Sequence, residues 1–246
     1  MNRYQILIEY VGTKYIGWQI QDNGVSIQKT LQLILSKLLK QKIIVFGSGR
    51  TDKGVHAIEQ SAHFDVTNKI LNINKLIKSL NFFLNKKKIS IKNIKKRTMS
   101  FHARHSAKER TYIYLIRNSI SSSVINNHRE WHIIKNLDLS LLKKGAKKLI
   151  GTHNFSTYRS SNCNSVSPIK TMRKVEVTKN NKLIKIKFVS KSFLKSQVRS
   201  MVGCLKYLGE KKWNLKKFEL VLKSKKRKNC APLAPPHGLY LLKITY

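Results

Sequence analysis

The run GSGRTDKGVHA, residues 47–57, sets one carboxylate, Asp52, between two cations, Arg50 and Lys53, among glycines at 47, 49 and 54. A carboxylate in that local field stays ionised and, exposed on a turn, can serve as a nucleophile or a base. An aspartate on a turn also caps backbone N–H groups and pairs with a nearby Arg, so residue type alone leaves both roles open. Other chemistries do not fit. The third glycine follows the second by five residues and no GK[ST] ending appears, so the loop lacks the phosphate-cradle pattern of nucleotide-binding proteins. His56 and Glu59 lack the H-x-E spacing and the P-C-x-x-C partner of a zinc deaminase. No G-x-S-x-G elbow occurs, and the remaining histidines form no i, i+4 pair around a catalytic Glu. The expectation is a reaction carried by Asp52 with no metal and no cofactor.

The chain has 246 residues, with 50 Lys and Arg against 11 Asp and Glu, for a formal charge of +39. An excess of that size points to a polyanionic partner, nucleic acid first. Of the cations, 39 are Lys and 11 are Arg, and enrichment in Lys, Ile and Asn is also what an AT-rich genome produces. The Arg residues, whose planar fork suits phosphate, are therefore the better pointers to specific contacts. A hydrophobic fraction of 41% is ordinary for a globular chain. No stretch approaches the roughly 18 apolar residues of a membrane span, and MNRYQILIEY reads directly into a strand, so a cytoplasmic protein is expected. Cys163, Cys204 and Cys230 show no close paired spacing and are read as reduced thiols.

The elements that must position Asp52 follow from periodicity. Residues 3–10 alternate as a strand, and a glycine-punctuated loop leads to Ser26, placed to cap a helix carrying Ile27, Leu31, Ile34, Leu35, Leu38 and Leu39 on one face. Residues 43–46 and 60–66 read as strands, so the glycine-rich loop joins two strands. A helix is predicted over 72–84, extended chain over 88–96, and a strand over 108–118 with Tyr112 and Tyr114 on one face. Residues 119–127 form a polar connection. Asp138 caps a helix that Gly151 ends, and 171–190 form a hairpin about an Asn-rich turn. Helices over 193–208 and 215–222 and a terminal strand complete an α+β chain of two similar lobes. Their sheets are mixed and mainly antiparallel, flanked by helices, with an active-site cleft between them. The N-terminal lobe spans 1–105, with the catalytic loop at 47–56, and the C-terminal lobe spans 106–246.

GRTDKGVHA at 49–57 closely resembles the catalytic-loop signature of the tRNA pseudouridine synthase A family. The resemblance extends through IEYVGTKYIGWQ, FHARHSAKERTYIY (101–114), GTHNFSTYR (151–159), FLKSQVRSMVGCL (193–205) and APPHGLYL (234–241), in the family's order. It implies an isomerase that detaches uridine at N1 and reattaches it through C5 in the tRNA anticodon stem-loop, at positions 38, 39 and 40. The product is an isomer of the substrate, so no electron or atom carrier is needed. The resemblance further implies Asp52 as nucleophile, attacking ribose C1′ or base C6, with Arg50 orienting it near the target phosphate. It makes Tyr112 the active-site aromatic that packs on the flipped base, and Arg199 a holder of Asp52 or phosphate. Gly238, Leu239 and Tyr240 would border the site, and a homodimer would bind the tRNA anticodon arm. Two places depart from the family's usual pattern. Lys53 stands where a small residue is common, and Ser196–Gln197 where a bulkier, less polar pair is commoner. The rivals to this reading are a non-catalytic tRNA-binding protein and a related synthase with another RNA target.

Overall fold

The computed structural model describes residues 1–246. In chain order it builds β1 (Asn2–Tyr10), α1 (Ile27–Leu39), β2 (Val45–Gly47), β3 (His56–Val66), α2 (Ile73–Leu84) and β4 (Ile89–Arg97). There follow β5 (Glu109–Asn118), β6 (Trp131–Ile133), α3 (Leu139–Lys148), β7 (Gly151–Asn154), β8 (Ile169–Asn180) and β9 (Leu183–Ser190). The last elements are α4 (Gln197–Gly209), α5 (Leu215–Lys223) and β10 (Leu239–Thr245). The chain is mixed α+β with mostly antiparallel pairing, as expected. It divides into two compact units, Met1–Lys108 with Tyr240–Tyr246, and Glu109–Leu239.

In the first unit β1 runs antiparallel to both β3 and β4. β2 adds antiparallel to β3, while β10 pairs with β3 in parallel, Tyr240 opposite His56 and Leu241 opposite Ala57. Alternation along β1 buries Tyr4, Ile6, Ile8 and Tyr10. The helices close over their apolar faces, α1 burying Ile27, Leu31 and Leu35, and α2 burying Leu76, Leu80 and Leu84. Ser26 caps α1 by accepting from Lys29 N at 3.2 Å, and Asn72 caps α2 by accepting from Lys75 N at 2.8 Å. Each such cap contributes about 1 kcal/mol. β2 starts two residues later than the sequence suggests, since the Ile43 N–H is already bonded to Ser36 Oγ. β3 starts four residues earlier, so the end of the glycine-rich motif is itself strand.

In the second unit β5, β9, β8 and β7 pair antiparallel in that order, and β6 joins β5 in parallel. The β8–β9 hairpin turns at Asn181, whose φ of +50° is one that Asn tolerates. Asp138 caps α3 by accepting from Leu141 N at 3.0 Å. α3 and α4 approach where side chains are missing. A Cβ on Gly145 would lie 2.5 Å from Leu208 Cδ2, and one on Gly209 2.9 Å from Leu142 Cδ2. α4 begins at Gln197, four residues later than periodicity predicts, because Ser196 takes a left-handed φ of +62°. Buried Gln197 fixes that turn by accepting from Leu194 N at 2.8 Å. α3 ends at Lys148, and Gly151, at φ +103°, opens β7 instead of closing the helix.

One polar cluster ties the FHARHSA segment to the first unit's sheet. Arg3 donates from Nε and Nη2 to both oxygens of Asp65, at 2.8 and 2.7 Å, and from Nη1 to the Met99 and Phe101 carbonyls at 2.7 Å each. That fork holds the Asp65 carboxyl below the usual carboxylate range. His63, buried on β3, accepts at Nδ1 from Ala103 N at 3.1 Å. Burial, then the nearby Arg3 charge, pushes its pKa down from 6.5 to about 4. Below pH 6.5 the unfolded chain takes a proton at His63 that the folded chain refuses until about pH 4, so stability falls as pH drops through that window. The expected loss is on the order of 3 kcal/mol. Urea unfolding midpoints measured between pH 7 and pH 4 should show it, and His63→Asn, which keeps an acceptor but does not titrate, should flatten the slope.

Candidate active site

The loop between β2 and β3 is fixed from both sides before any substrate contact is considered. On one side the segment after β1 presses its backbone against it. Trp18 N donates to Thr51 O at 3.1 Å, Gly54 N to Tyr15 O at 3.4 Å, and Gly17 bridges Asp52 in antiparallel fashion. Contact this close requires glycine. A Cβ on Gly12 would sit 1.9 Å from the Val55 carbonyl oxygen, and one on Gly17, itself at φ +117°, 2.6 Å from the Thr51 oxygen. On the other side, Gln60 of β3 reaches back to donate to Gly49 O at 2.8 Å, and Ser48 N donates to Ser61 O at 2.8 Å. Buried Thr51 shares a 2.8 Å hydrogen bond with the Tyr10 hydroxyl. The turn itself closes by Val55 N donating to Asp52 O at 3.1 Å, with Gly54 at φ +78°.

His56 marks the end of the motif. Its Nδ1 accepts from Gly12 N at 3.0 Å, so a neutral ring carries its proton on Nε2, and its ring stacks on Tyr240 at 4.7 Å. The geometry therefore makes His56 a structural strut of the loop. The outcome is a half-buried Asp52 flanked by exposed Arg50 and Lys53 on a clamped turn. Tyr10, Gly12, Gly17, Trp18 and Gln60 had no assigned part in the sequence reading. Their only signal was the glycine and aromatic spacing of IEYVGTKYIGWQ, and the contacts that give it meaning are tertiary.

Arg50 and Asp52 belong to the first unit, while Tyr112, Arg199 and Leu239 belong to the second. Tyr112 and Tyr114 share a face of β5, as alternation requires. Tyr112 is 8% exposed and meets Phe193 edge-on at 5.1 Å. Tyr114 is fully buried and donates to Pro235 O at 2.7 Å, and burial pushes its hydroxyl well above the usual tyrosine range. Arg199, in the first turn of α4, donates from Nε to Ala234 O at 2.8 Å, while Ala234 N donates back to Arg199 O at 3.3 Å. The polar Ser196–Gln197 pair thus leaves Arg199 firmly seated on the 234–239 segment. That segment also approaches Tyr114, since a Cβ on Gly238 would lie 2.7 Å from its ring. Leu239 follows, buried, at the start of β10. No group of three or more His, Cys, Asp or Glu side chains is placed to hold a metal ion.

The chain matches the model of a protein family described as tRNA pseudouridine synthase twice, over residues 6–106 and 146–246. It is similar to the tRNA pseudouridine synthase A of Pelagibacter ubique (strain HTCC1062), 60% identical over 246 residues with both chains covered in full. It is 39% identical to the proteins of that name from Sinorhizobium medicae and Afipia carboxidovorans, again over the whole of each chain. The double match fits an α+β chain made of two similar repeats. The clamped GRTD turn thus sits in a chain that belongs to the tRNA pseudouridine synthase family, whose members are isomerases.

Proposed function

We propose that this protein converts uridine to pseudouridine at positions 38, 39 and 40 of the tRNA anticodon stem-loop, with Asp52 as the nucleophile. The observation that carries the reading is the seating of Asp52. Its loop is tied down through backbone and side-chain bonds on both flanks, so the carboxylate is presented on a support that loses little freedom when RNA arrives. The carboxylate attacks the target nucleoside, the N1–C1′ bond breaks, the base turns, C5 bonds to C1′, and the C5 proton leaves to solvent or a base. Atoms and electrons balance within the nucleoside and the proton.

In this reading Arg50, exposed two residues before Asp52, orients the carboxylate and meets the phosphate of the flipped nucleotide. Tyr112 replaces the stacking that the flipped base loses, and Arg199 contacts phosphate or Asp52, with Leu239 lining the base. The excess of 39 cationic charges supplies the sequence-independent attraction to tRNA. The lobes 1–105 and 106–246 are the two copies of the family module, assembled in a cytoplasmic homodimer that shares each tRNA.

Tritium release from tRNA labelled at uridine C5, with the product position mapped chemically, tests the assignment. Asp52→Asn should abolish release while tRNA affinity stays within a few fold, because the change removes a nucleophile and little binding surface. Appreciable turnover by that variant would overturn Asp52 as the nucleophile. Tyr112→Phe should keep both stacking and tRNA binding. Tyr112→Ala should lower kcat/KM by roughly one to two orders of magnitude, the worth of one aromatic stack of about 1–3 kcal/mol.

A further inference from the structure

Two of the three cysteines, which are remote in sequence, meet in the second unit. Cys204 Sγ lies 3.5 Å from Cys230 Sγ, with Cys204 inside α4 and Cys230 on the segment that leads to Ala234. Backbone packing brings them together. A Cβ on Gly203 would lie 2.1 Å from Pro232 O, so the helix and this segment touch main chain to main chain, and Ala231 N donates to Cys204 Sγ at 3.4 Å. Neither sulfur is bonded to another group, and the two differ in access. Cys204 is fully buried, whereas Cys230 is only partly so.

We propose that Cys204 and Cys230 are a peroxide-oxidisable pair that forms a reversible disulfide, locking α4 to the segment that seats Arg199. The partly exposed Cys230 is the attacking sulfur. The Cys204 thiol donates toward it and the Arg227 charge lies nearby, which together hold the Cys230 thiol below the usual cysteine range. The same hydrogen bond, with burial, pushes the Cys204 thiol up, so the shared proton resides on Cys204. The Cys230 thiolate attacks one oxygen of a hydroperoxide, the O–O bond breaks, and hydroxide leaves with a Cys230 sulfenic acid formed. Cys204 sulfur then attacks that sulfur, its proton leaves with the sulfenic oxygen as water, and the S–S bond forms. Two thiols are oxidised and one peroxide is reduced to two waters. Sulfurs already in van der Waals contact need to close by about 1.5 Å, within reach of side-chain rotation at such a site.

The consequence falls on Arg199. It exchanges two hydrogen bonds with Ala234, four residues beyond Cys230, so a bond between Cys204 and Cys230 removes the freedom of that segment to draw away from α4. The test uses the folded full-length protein exposed to a few equivalents of hydrogen peroxide, then alkylated, digested and mass-mapped. The expected result is a 204–230 linked peptide, an intact mass lower by two hydrogens, Cys163 still alkylated, and full reversal by dithiothreitol. The oxidised protein should also melt several degrees higher, a rise absent from Cys230→Ser treated in the same way. Sulfinic acid at Cys230, or both cysteines still open to alkylation after unfolding, would overturn the proposal.

Discussion

A main-chain contact governs the first unit: the segment following β1 lies directly on the turn that carries Asp52, with no side chain between them. The distances for hypothetical Cβ atoms at Gly12 and Gly17 leave no room for any other residue. Such a contact costs backbone entropy during folding, since glycine has the most freedom to lose, and it is offset by bonds made in the same place. Trp18 to Thr51, Gly54 to Tyr15 and Gly12 to His56 convert two irregular segments into one braced unit. A catalytic carboxylate on a long exposed loop would have to be ordered by its substrate. Here that ordering precedes binding.

The second unit repeats the device with different parts. Gly145 and Gly209 let two helices close on each other, and Gly203 lets α4 lie against the 230–234 segment. Long cationic side chains then tie the loose ends, Arg199 to the Ala234 carbonyl and Arg227 to Ser200 Oγ at 2.7 Å, much as Arg3 gathers Asp65, Met99 and Phe101 in the first unit. Scarce acid is spent locally in a chain of this charge. Eight of its 11 acidic residues sit in ion pairs with Lys or Arg, so the carboxylates temper self-repulsion at particular points, and the broad positive field survives.

Much of this was legible in the sequence because it is local. Ser26, Asn72 and Asp138 announce their helices through side-chain chemistry confined to one turn, and the alternation in β1 and β5 states which residues face inward. The misjudged boundaries all have non-local or conformational causes. Ser196 delays α4 by taking a backbone conformation that its type does not advertise, and Ser36 withholds Ile43 from the sheet by a bond seven residues away. β6 and β7, with three and four residues, are too short to show a period. The GRTD turn was identifiable by composition and resemblance, whereas its bracing depends on Gly12, Gly17 and Gln60, whose contacts no local pattern encodes.

β10 has a bearing on how the protein is made. The first unit consists of Met1–Lys108 and Tyr240–Tyr246, so the strand that flanks β3 at His56 and Ala57 leaves the ribosome only after the whole of the other unit. At about 5–20 residues per second the wait is on the order of ten seconds. Throughout it, β3 has an open edge beside the Asp52 loop, and His56 lacks the Tyr240 ring that stacks on it. The nascent chain therefore carries an unfinished sheet edge of the kind that invites pairing with other chains, and the unit bearing Asp52 is completed last although its residues are translated first.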